Sequence, residues 1–262
     1  MKKFYAGIDI GSLTTKVVLI DEERELVSSH VVYTGYDGLR AAKEALGEAQ
    51  KKASISKDQI YRCISTGYGR HLVTFANKAV TEITCHAQGA LYFFPNARSV
   101  LDIGGQDSKA IGLDPLTKRV INFRMNDKCA AGTGRFLEVM AERLRIGMDK
   151  MVELALQAKK GLEISSVCTV FAETEVVSMV AQNKPIQEIL RGLHQAVVNR
   201  VYPMLKDVGI KEDFVMTGGV AKNKAILTIL EEKIGIPPNV PPDPQITGAL
   251  GAALLAMDDM NL

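Results

Sequence analysis

The chain of 262 residues is 47% hydrophobic and 24% charged, which supports one large fold or two domains with a real core. A net charge of +2 and the lack of any apolar run of membrane-span length argue against nucleic-acid or membrane partners. Met1-Lys2-Lys3 leads straight into a strand with no signal peptide, and four dispersed cysteines form no disulfide scaffold, so a cytoplasmic location is expected.

Phe4 to Ile8 reads as a strand ending at Asp9-Ile-Gly-Ser12, and Thr14 to Ile20 as a second, the two making a hairpin around Gly11–Leu13. Leu26 to Tyr33 is a third strand. Asp37 caps a helix over about 38–53 whose apolar face carries Leu39, Ala42, Ala45, Leu46 and Ala49. A fourth strand, Ile60 to Thr66, holds Cys63 as a small core residue and ends at Gly67. Helical material is expected from there to Phe94, where Pro95-Asn96 breaks it. Within it Cys85 and His86 are neighbours, but adjacent helix positions diverge, so Cys85 reads as core and not as half of a metal site.

The stretch from Val100 to Asp114 can be laid over that from Gly7 to Asp21: Asp102 falls on Asp9, Gly104 on Gly11, Lys109 on Lys16 and Asp114 on Asp21. A strand–turn–strand unit therefore occurs twice, which argues two like-folded halves facing a shared cleft. The chain then reads as mostly helical to Lys206. Phe214 to Asn223 is a strand ending in a glycine pair, with a helix over about 222–233. Pro237 to Pro244 is a stiff connector before a small-residue helix from Ile246 to Met257. The pattern is mixed α/β, with β-hairpins that exclude a pure Rossmann order. The expected halves are 1–95, with the helix over 246–262 packing back on it, and 96–245.

Three glycine turns lie at strand ends: Gly11-Ser12, Gly104-Gly105 and Gly218-Gly219. Glycine lets the backbone approach an anion and aim successive N–H groups at phosphate oxygens. Asp9 and Asp102, each two residues before a turn, suit Mg²⁺ held through its water shell. Leu13 completes the first turn, Ser12, Thr14 and Thr15 add hydroxyl donors, and Lys16 would neutralise phosphate charge. Neither a Walker A motif nor a dinucleotide fingerprint is present.

Cys129 stands just before a glycine-bearing turn and an amphipathic run of Phe136, Leu137, Met140, Ala141 and Leu144. Cys168 leads into a second helix expected from Val170 to Gln182, with Glu173 and Glu175 in its first turn. Each sulfur would thus sit at or near a helix N-terminus, where the dipole favours negative charge. Two such cysteines are half of what a thiolate-bound iron–sulfur cluster needs.

Asp9-Ile-Gly-Ser-x-Thr-Thr15, Asp102-Ile-Gly-Gly-Gln-Asp107 and Thr217-Gly-Gly-Val-Ala-x-Asn223 resemble the phosphate-1, phosphate-2 and adenosine motifs of the superfamily of actin, sugar kinases and chaperone ATPases. Within it, Asn126-Asp-Lys-Cys-Ala-Ala-Gly-Thr-Gly-Arg-Phe136 and Ser166-x-Cys-Thr-Val-Phe-Ala-Glu-x-Glu175 resemble the activators of 2-hydroxyacyl-CoA dehydratases and the benzoyl-CoA reductase ATPase subunits. The likeness runs from Ile8 to about Ala256. It implies duplicated ribonuclease H-like (actin-like ATPase) halves around a nucleotide cleft, and a homodimer bridged by one [4Fe–4S] cluster on Cys129 and Cys168 of each chain. Two cysteines cannot saturate a four-thiolate cluster, but a two-fold axis supplies the other two.

The resemblance further implies an ATPase that takes an electron from ferredoxin or flavodoxin. It would deliver that electron at low potential to a partner iron–sulfur enzyme of dehydratase, benzoyl-CoA reductase or double-cubane type. Asp9 and Asp102 would place Mg²⁺, Gln106 or Asp107 would orient the attacking water, and Gly218 and Gly219 would line the adenine and ribose. The resemblance alone adds Gln245 beside the nucleotide and Arg135 as the link between the two sites. The competing expectations are a small-molecule kinase of the same superfamily, which leaves both cysteines without a task, and a non-catalytic nucleotide-responsive regulator.

Overall fold

The computed structural model describes residues 2–127 and 129–258. In chain order the elements are β1 (Phe4–Ile10), β2 (Thr14–Asp21), β3 (Leu26–Tyr33), α1 (Gly38–Ala53), β4 (Ile60–Thr66), β5 (Lys78–Ala79) and α2 (Glu82–Phe93). They continue with β6 (Ser99–Ile103), β7 (Ser108–Leu113), β8 (Val120–Asn126), α3 (Gly134–Leu144), α4 (Met148–Gln157) and α5 (Thr169–Ala181). Last come α6 (Ile186–Val208), β9 (Phe214–Thr217), α7 (Lys224–Ile234) and α8 (Thr247–Asp258). Two compact units result: Met1–Ala97, Leu113–Val120 and Pro241–Leu262 form the first, Arg98–Gly112 and Ile121–Val240 the second.

The first unit is built on a sheet of order β3-β2-β1-β4-β5, in which β1 and β2 are antiparallel and β4 runs parallel to β1. Strand residues point alternately to opposite faces, and the sequence obeys that period. Ala6, Ile8, Ile10, Val17 and Leu19 pack with Ala42, Ala45 and Ala49 of α1, and with Cys63. Tyr5, Val18, Ile20 and Ile64 pack on the other face with Cys85 and with α8. Helix α8 is small-sided and buried almost all round. A Cβ on Gly7 would lie 1.9 Å from the Ala249 carbonyl oxygen, and one on Gly251 would lie 1.8 Å from that of Cys85. Backbone therefore touches backbone along α8, which only glycine permits.

The second unit repeats the arrangement with order β8-β7-β6-β9: β6 and β7 antiparallel, β9 parallel to β6. Its core joins Leu101 and Ile103 of β6 to Phe136, Leu137 and Met140 of α3, Leu193 and Val197 of α6, and Ile226 and Leu230 of α7.

Two stretches depart from the sequence expectation. The run from Gly67 to Phe94 is not continuously helical. A single 3₁₀ turn (Arg70–Leu72) and β5 precede α2, because Gly67 takes φ +84° and the chain turns there, while the Thr81 side chain caps α2 by accepting from the Thr84 N–H. β8 lies where helix was expected. Asp114 Oδ1 accepts the N–H groups of Leu116 (3.0 Å) and Thr117 (2.7 Å), a side-chain turn that folds Val120, Ile121 and Phe123 back as an edge strand.

Candidate nucleotide and cysteine sites

In the first unit Asp9, near the end of β1, lies opposite Lys16 on β2, and Lys16 Nζ stands 3.2 Å from Asp9 Oδ2. The Gly11 N–H donates to the Thr14 carbonyl (3.1 Å) and closes the tight turn that carries Ser12 and Leu13. Thr34 Oγ1 donates to the Gly11 carbonyl (2.8 Å) and meets the buried Thr15 hydroxyl (3.0 Å), fixing the turn from behind, while Ser12 stays exposed. Gln245 is half-buried in the short Pro244–Ile246 turn of the same unit, its N–H donating to Asp243 Oδ1 (3.3 Å).

In the second unit Lys109 Nζ binds both Asp102 Oδ2 (3.2 Å) and Asp107 Oδ2 (2.7 Å), and Thr217 Oγ1 donates to Asp102 Oδ1 (3.1 Å). The Gly104 N–H donates to the Asp107 carbonyl (2.9 Å). Gly105 is half-buried and Gln106 exposed at the tip of this turn. Gly218 takes φ +84°, and a Cβ there would lie 2.3 Å from the Ile103 carbonyl oxygen and 2.7 Å from Asp102 Oδ1. Next to Gly219 there is open space.

The sequence reading missed Gly67. It too takes φ +84°, and its Cβ would lie 2.3 Å from Asp9 Oδ1 and 2.5 Å from the Ile10 carbonyl oxygen. The signal was present in Thr66-Gly67 at a strand end, the same pair as Thr217-Gly218.

The second turn is stitched to the cysteine segment. The Gly134 N–H donates to the Gly104 carbonyl (2.9 Å) and the Arg135 N–H to the Gly105 carbonyl (2.8 Å). Ser108 Oγ donates to the Gly132 carbonyl (2.5 Å), and Asn126 Nδ2 holds the carbonyls of Cys129 and Ala131, both at 2.9 Å. None of these tethers was legible in the sequence. The Arg135 side chain, about half exposed, pairs with Glu138 (3.4 Å).

Cys129 Sγ donates to the Val167 carbonyl (3.4 Å), which brings it to the residue before Cys168. Cys168 is the N-cap of α5, which starts at Thr169, so Glu173 and Glu175 fall beyond the first turn and no acidic side chain occupies it. Instead Glu175 Oε2 accepts the Ser165 N–H (2.7 Å), tying the Cys168 loop to its helix, and Glu173 pairs with Arg143 of α3 (3.0 Å). Both thiols are partly exposed, whereas Cys63 and Cys85 are buried thiols pushed up to about 12 by that burial. Val167, Val170, Phe171, Val177 and Val180 are exposed along α5 and its approach, and Phe171 is 62% exposed.

Among the described residues no three His, Cys, Asp or Glu side chains converge as a metal set. Among the described residues the two partly exposed thiols are joined by no third ligand, a donor set that fits half of a four-thiolate cluster. No helix is long and apolar enough to cross a membrane among the described residues.

The family model described as BadF/BadG/BcrA/BcrD ATPase family matches residues 6–256. The chain is 44% identical over 252 residues to an activator of lactoyl-CoA dehydratase from Anaerotignum propionicum, covering 96% of each chain. It superposes on component A of the (R)-2-hydroxyglutaryl-CoA dehydratase of Acidaminococcus fermentans with a TM-score of 0.93 at 40% identity, covering 99% of this chain and 100% of that one. The activator of the 2-hydroxyisocaproyl-CoA dehydratase from Clostridium difficile, solved with bound ADPNP, gives 0.92 at 39% identity over 100% of this chain and 96% of that one. A glucokinase of Streptomyces griseus at 14% identity (TM-score 0.60, covering 97% of this chain and 99% of that one) shows the fold alone, that of actin-like ATPases and sugar kinases. By family model, sequence identity and superposition together, the chain belongs to the BadF/BadG/BcrA/BcrD ATPase family.

Proposed function

We propose that the chain is an ATP-hydrolysing activator of a partner iron–sulfur enzyme of the 2-hydroxyacyl-CoA dehydratase, benzoyl-CoA reductase or double-cubane type. Two copies share one [4Fe–4S] cluster through Cys129 and Cys168 of each, and the electron comes from ferredoxin or flavodoxin. ATP and its Mg²⁺ engage Asp9, Gly11–Thr15 and Lys16 of the first unit, and Asp102, Gly104 and Gly105 of the second. Gly218, Gly219 and Gln245 take the adenine and ribose side. With Asp107 held in an ion pair to Lys109 and Gln106 exposed at the turn, Gln106 is the better placed to orient the attacking water.

When bound, the cluster supplies the one-electron chemistry. The chain supplies its position and its release. The observation that carries this reading is the set of three hydrogen bonds from residues 104, 105 and 108 to residues 132, 134 and 135. A turn that shifts when γ-phosphate binds or leaves must pull on the backbone just after Cys129, and α3 moves with it. Arg143–Glu173 passes the displacement to α5, on which Cys168 sits. The exposed Val167–Val180 strip supports a two-fold partner at this end, since exposed apolar surface beside a half-completed ligand set calls for cover. A kinase of the same fold leaves both thiols and this strip without a role, and 44% identity to a dehydratase activator favours the activator reading.

The test is iron, acid-labile sulfide and particle mass of anaerobically purified protein, with Cys129→Ala and Cys168→Ala beside it. About two irons and two sulfides per chain in a dimer, lost in both variants, is the expected result for one shared cubane. ATP hydrolysis should be required for reduction of an added dehydratase. A chain that stays iron-free after anaerobic reconstitution overturns the reading.

A further inference from the structure

The duplication makes each unit a reference for the other. On β1, Asp9 lies opposite Lys16 in the antiparallel register and beside Thr66 in the parallel one. On β6, Asp102 lies opposite Lys109 and beside Thr217 in the same two registers. Both lysines stand 3.2 Å from their aspartate. Each threonine precedes a glycine at φ +84° on which a Cβ would run into the aspartate Oδ1 and the carbonyl oxygen of the residue after that aspartate.

One bond breaks the correspondence. Thr217 Oγ1 donates to Asp102 Oδ1 at 3.1 Å, whereas the Thr66 hydroxyl, fully buried, makes no such bond to Asp9 or to any other nitrogen or oxygen. A buried hydroxyl gives up its water for nothing in return and is destabilising unless some state of the protein satisfies it. The Cys85 thiol interacts with this hydroxyl and is held neutral by burial. A thiol is a weak partner, so a carboxylate oxygen within reach would take this proton in preference. The space beside Asp9 is kept clear on its other side. A Cβ on Gly248 would lie 3.3 Å from Asp9 Oδ2 and 2.8 Å from His86 Nε2, so the bare backbone of α8 lets the carboxylate and imidazole approach.

We propose that Thr66 is a positioning residue for Asp9: in the Mg²⁺–nucleotide state its hydroxyl donates to Asp9 Oδ1, as Thr217 does to Asp102. The bond fixes the carboxylate rotamer while Lys16 holds Oδ2, so that Asp9 presents one orientation to the hydrated Mg²⁺. The inference rests on the nucleotide reading above. It assigns to Thr66 a function that only the metal-bound state reveals.

The experiment is equilibrium binding of a fluorescent ATP analogue to the full-length anaerobic protein as free Mg²⁺ is varied, with an EDTA series for the metal-free nucleotide. Thr66→Val keeps the side-chain shape and removes the donor, Thr66→Ser keeps the donor, and Thr217→Val serves as the reference. The Mg²⁺ concentration for half-maximal binding should rise roughly tenfold in Thr66→Val, the loss of one hydrogen bond to a charged group. Binding in EDTA should stay the same, and Thr66→Ser should return to within about twofold of the parent. Should Thr66→Val fail to fold, Thr66→Ala carries the same comparison. A Thr66→Val titration that overlays the parent, while Thr217→Val is displaced, overturns the assignment. A parent chain with no Mg²⁺-dependent nucleotide binding overturns the nucleotide reading and the assignment with it.

Discussion

Replacing Ser108 by alanine removes a single buried hydrogen bond between the turn at Gly104–Gly105 and the segment after Cys129. Ser108 is fully buried and its Oγ stands 2.5 Å from the Gly132 carbonyl. The bond itself contributes about 0.5–1.5 kcal/mol, and leaving the carbonyl unsatisfied raises the loss to about 1–3 kcal/mol. At about 2–4 °C per kcal/mol for a chain of this size, melting should fall by roughly 2–12 °C. The functional assay is the rate at which an iron chelator strips the anaerobic dimer in ATP and in ADP. Ser108→Ala should lose part of the ATP-dependent acceleration while retaining ATP affinity, because two of the three tethers, from Gly134 and Arg135, still join the turn to the segment after Cys129. A variant that melts lower yet keeps the full ATP effect would refute the transmission and leave Ser108 as a local staple. Unchanged melting would refute the hydrogen bond itself.

Other substitutions probe the remaining parts. Gly67→Ala places a Cβ 2.3 Å from Asp9 Oδ1 at φ +84° and should abolish nucleotide binding; Gly35→Ala, at φ +59° with open space around it, should cost only about 1–2 kcal/mol in urea denaturation and bind normally. Phe171→Asp should shift the anaerobic protein from dimer to monomer by light scattering and lower its iron content, because Phe171 is 62% exposed in the single chain and its loss leaves the core intact. His194 is buried, its Nδ1 within 2.7 Å of the Leu190 carbonyl and its Nε2 within 3.2 Å of Asn223 Nδ2; burial foremost, then the neighbouring Arg191 charge, lower its pKa against the opposing Leu190 hydrogen bond. The unfolded chain therefore takes up a proton near pH 6.5 that the native state refuses, so stability present above that pH should fall as pH drops below it. His194→Gln should flatten the urea-midpoint profile between pH 8 and 5.5, and parallel profiles would refute this origin. Glu173→Gln removes a half-exposed pair with Arg143 and should change stability by less than about 1 kcal/mol.

The parts legible in the sequence were those written locally. A hairpin needs only two apolar runs and a glycine turn, so β1–β2 and β6–β7, with the Asp–Lys pair each carries, stood out as a repeat. The third member of each set did not, because β4 and β9 join their partners in parallel after long excursions. Thr217 lies about twice as far from Asp102 as Thr66 does from Asp9, since α3 to α6 fill the second interval, and no fixed spacing reveals the match. Edge strand β8 was lost for a different reason: with one side unpaired and Ile121 and Phe123 exposed, it lacks the clean alternation of a strand covered on one face. Glu175 lies beyond the first turn whether α5 starts at Val170 or at Thr169, and only Glu173 is moved out by the earlier start, a boundary that a cysteine N-cap does not announce. Ser108 and Asn126 are ordinary polar residues until their carbonyl partners are known.

The seam between α8 and the first sheet carries a consequence for how the polypeptide is made. Tyr5, Val18, Ile20 and Ile64 find their cover on that face in a helix that leaves the ribosome about 150 residues after α2. At ordinary translation rates this is a delay of roughly 8–30 s, during which an apolar sheet face stands open. The glycine contacts admit no loose substitute for α8, since its backbone must seat directly against β1 and α2. Residues 121–240, by contrast, can gather their core from neighbours already synthesised. The expected order of folding thus inverts the order of the chain: the later unit can close first, while the earlier one waits for α8 with a sheet face open to protease. Limited proteolysis of ribosome-stalled chains, each extended by a flexible linker long enough to fill the exit tunnel, should show protection of β1–β4 only in the one that includes α8.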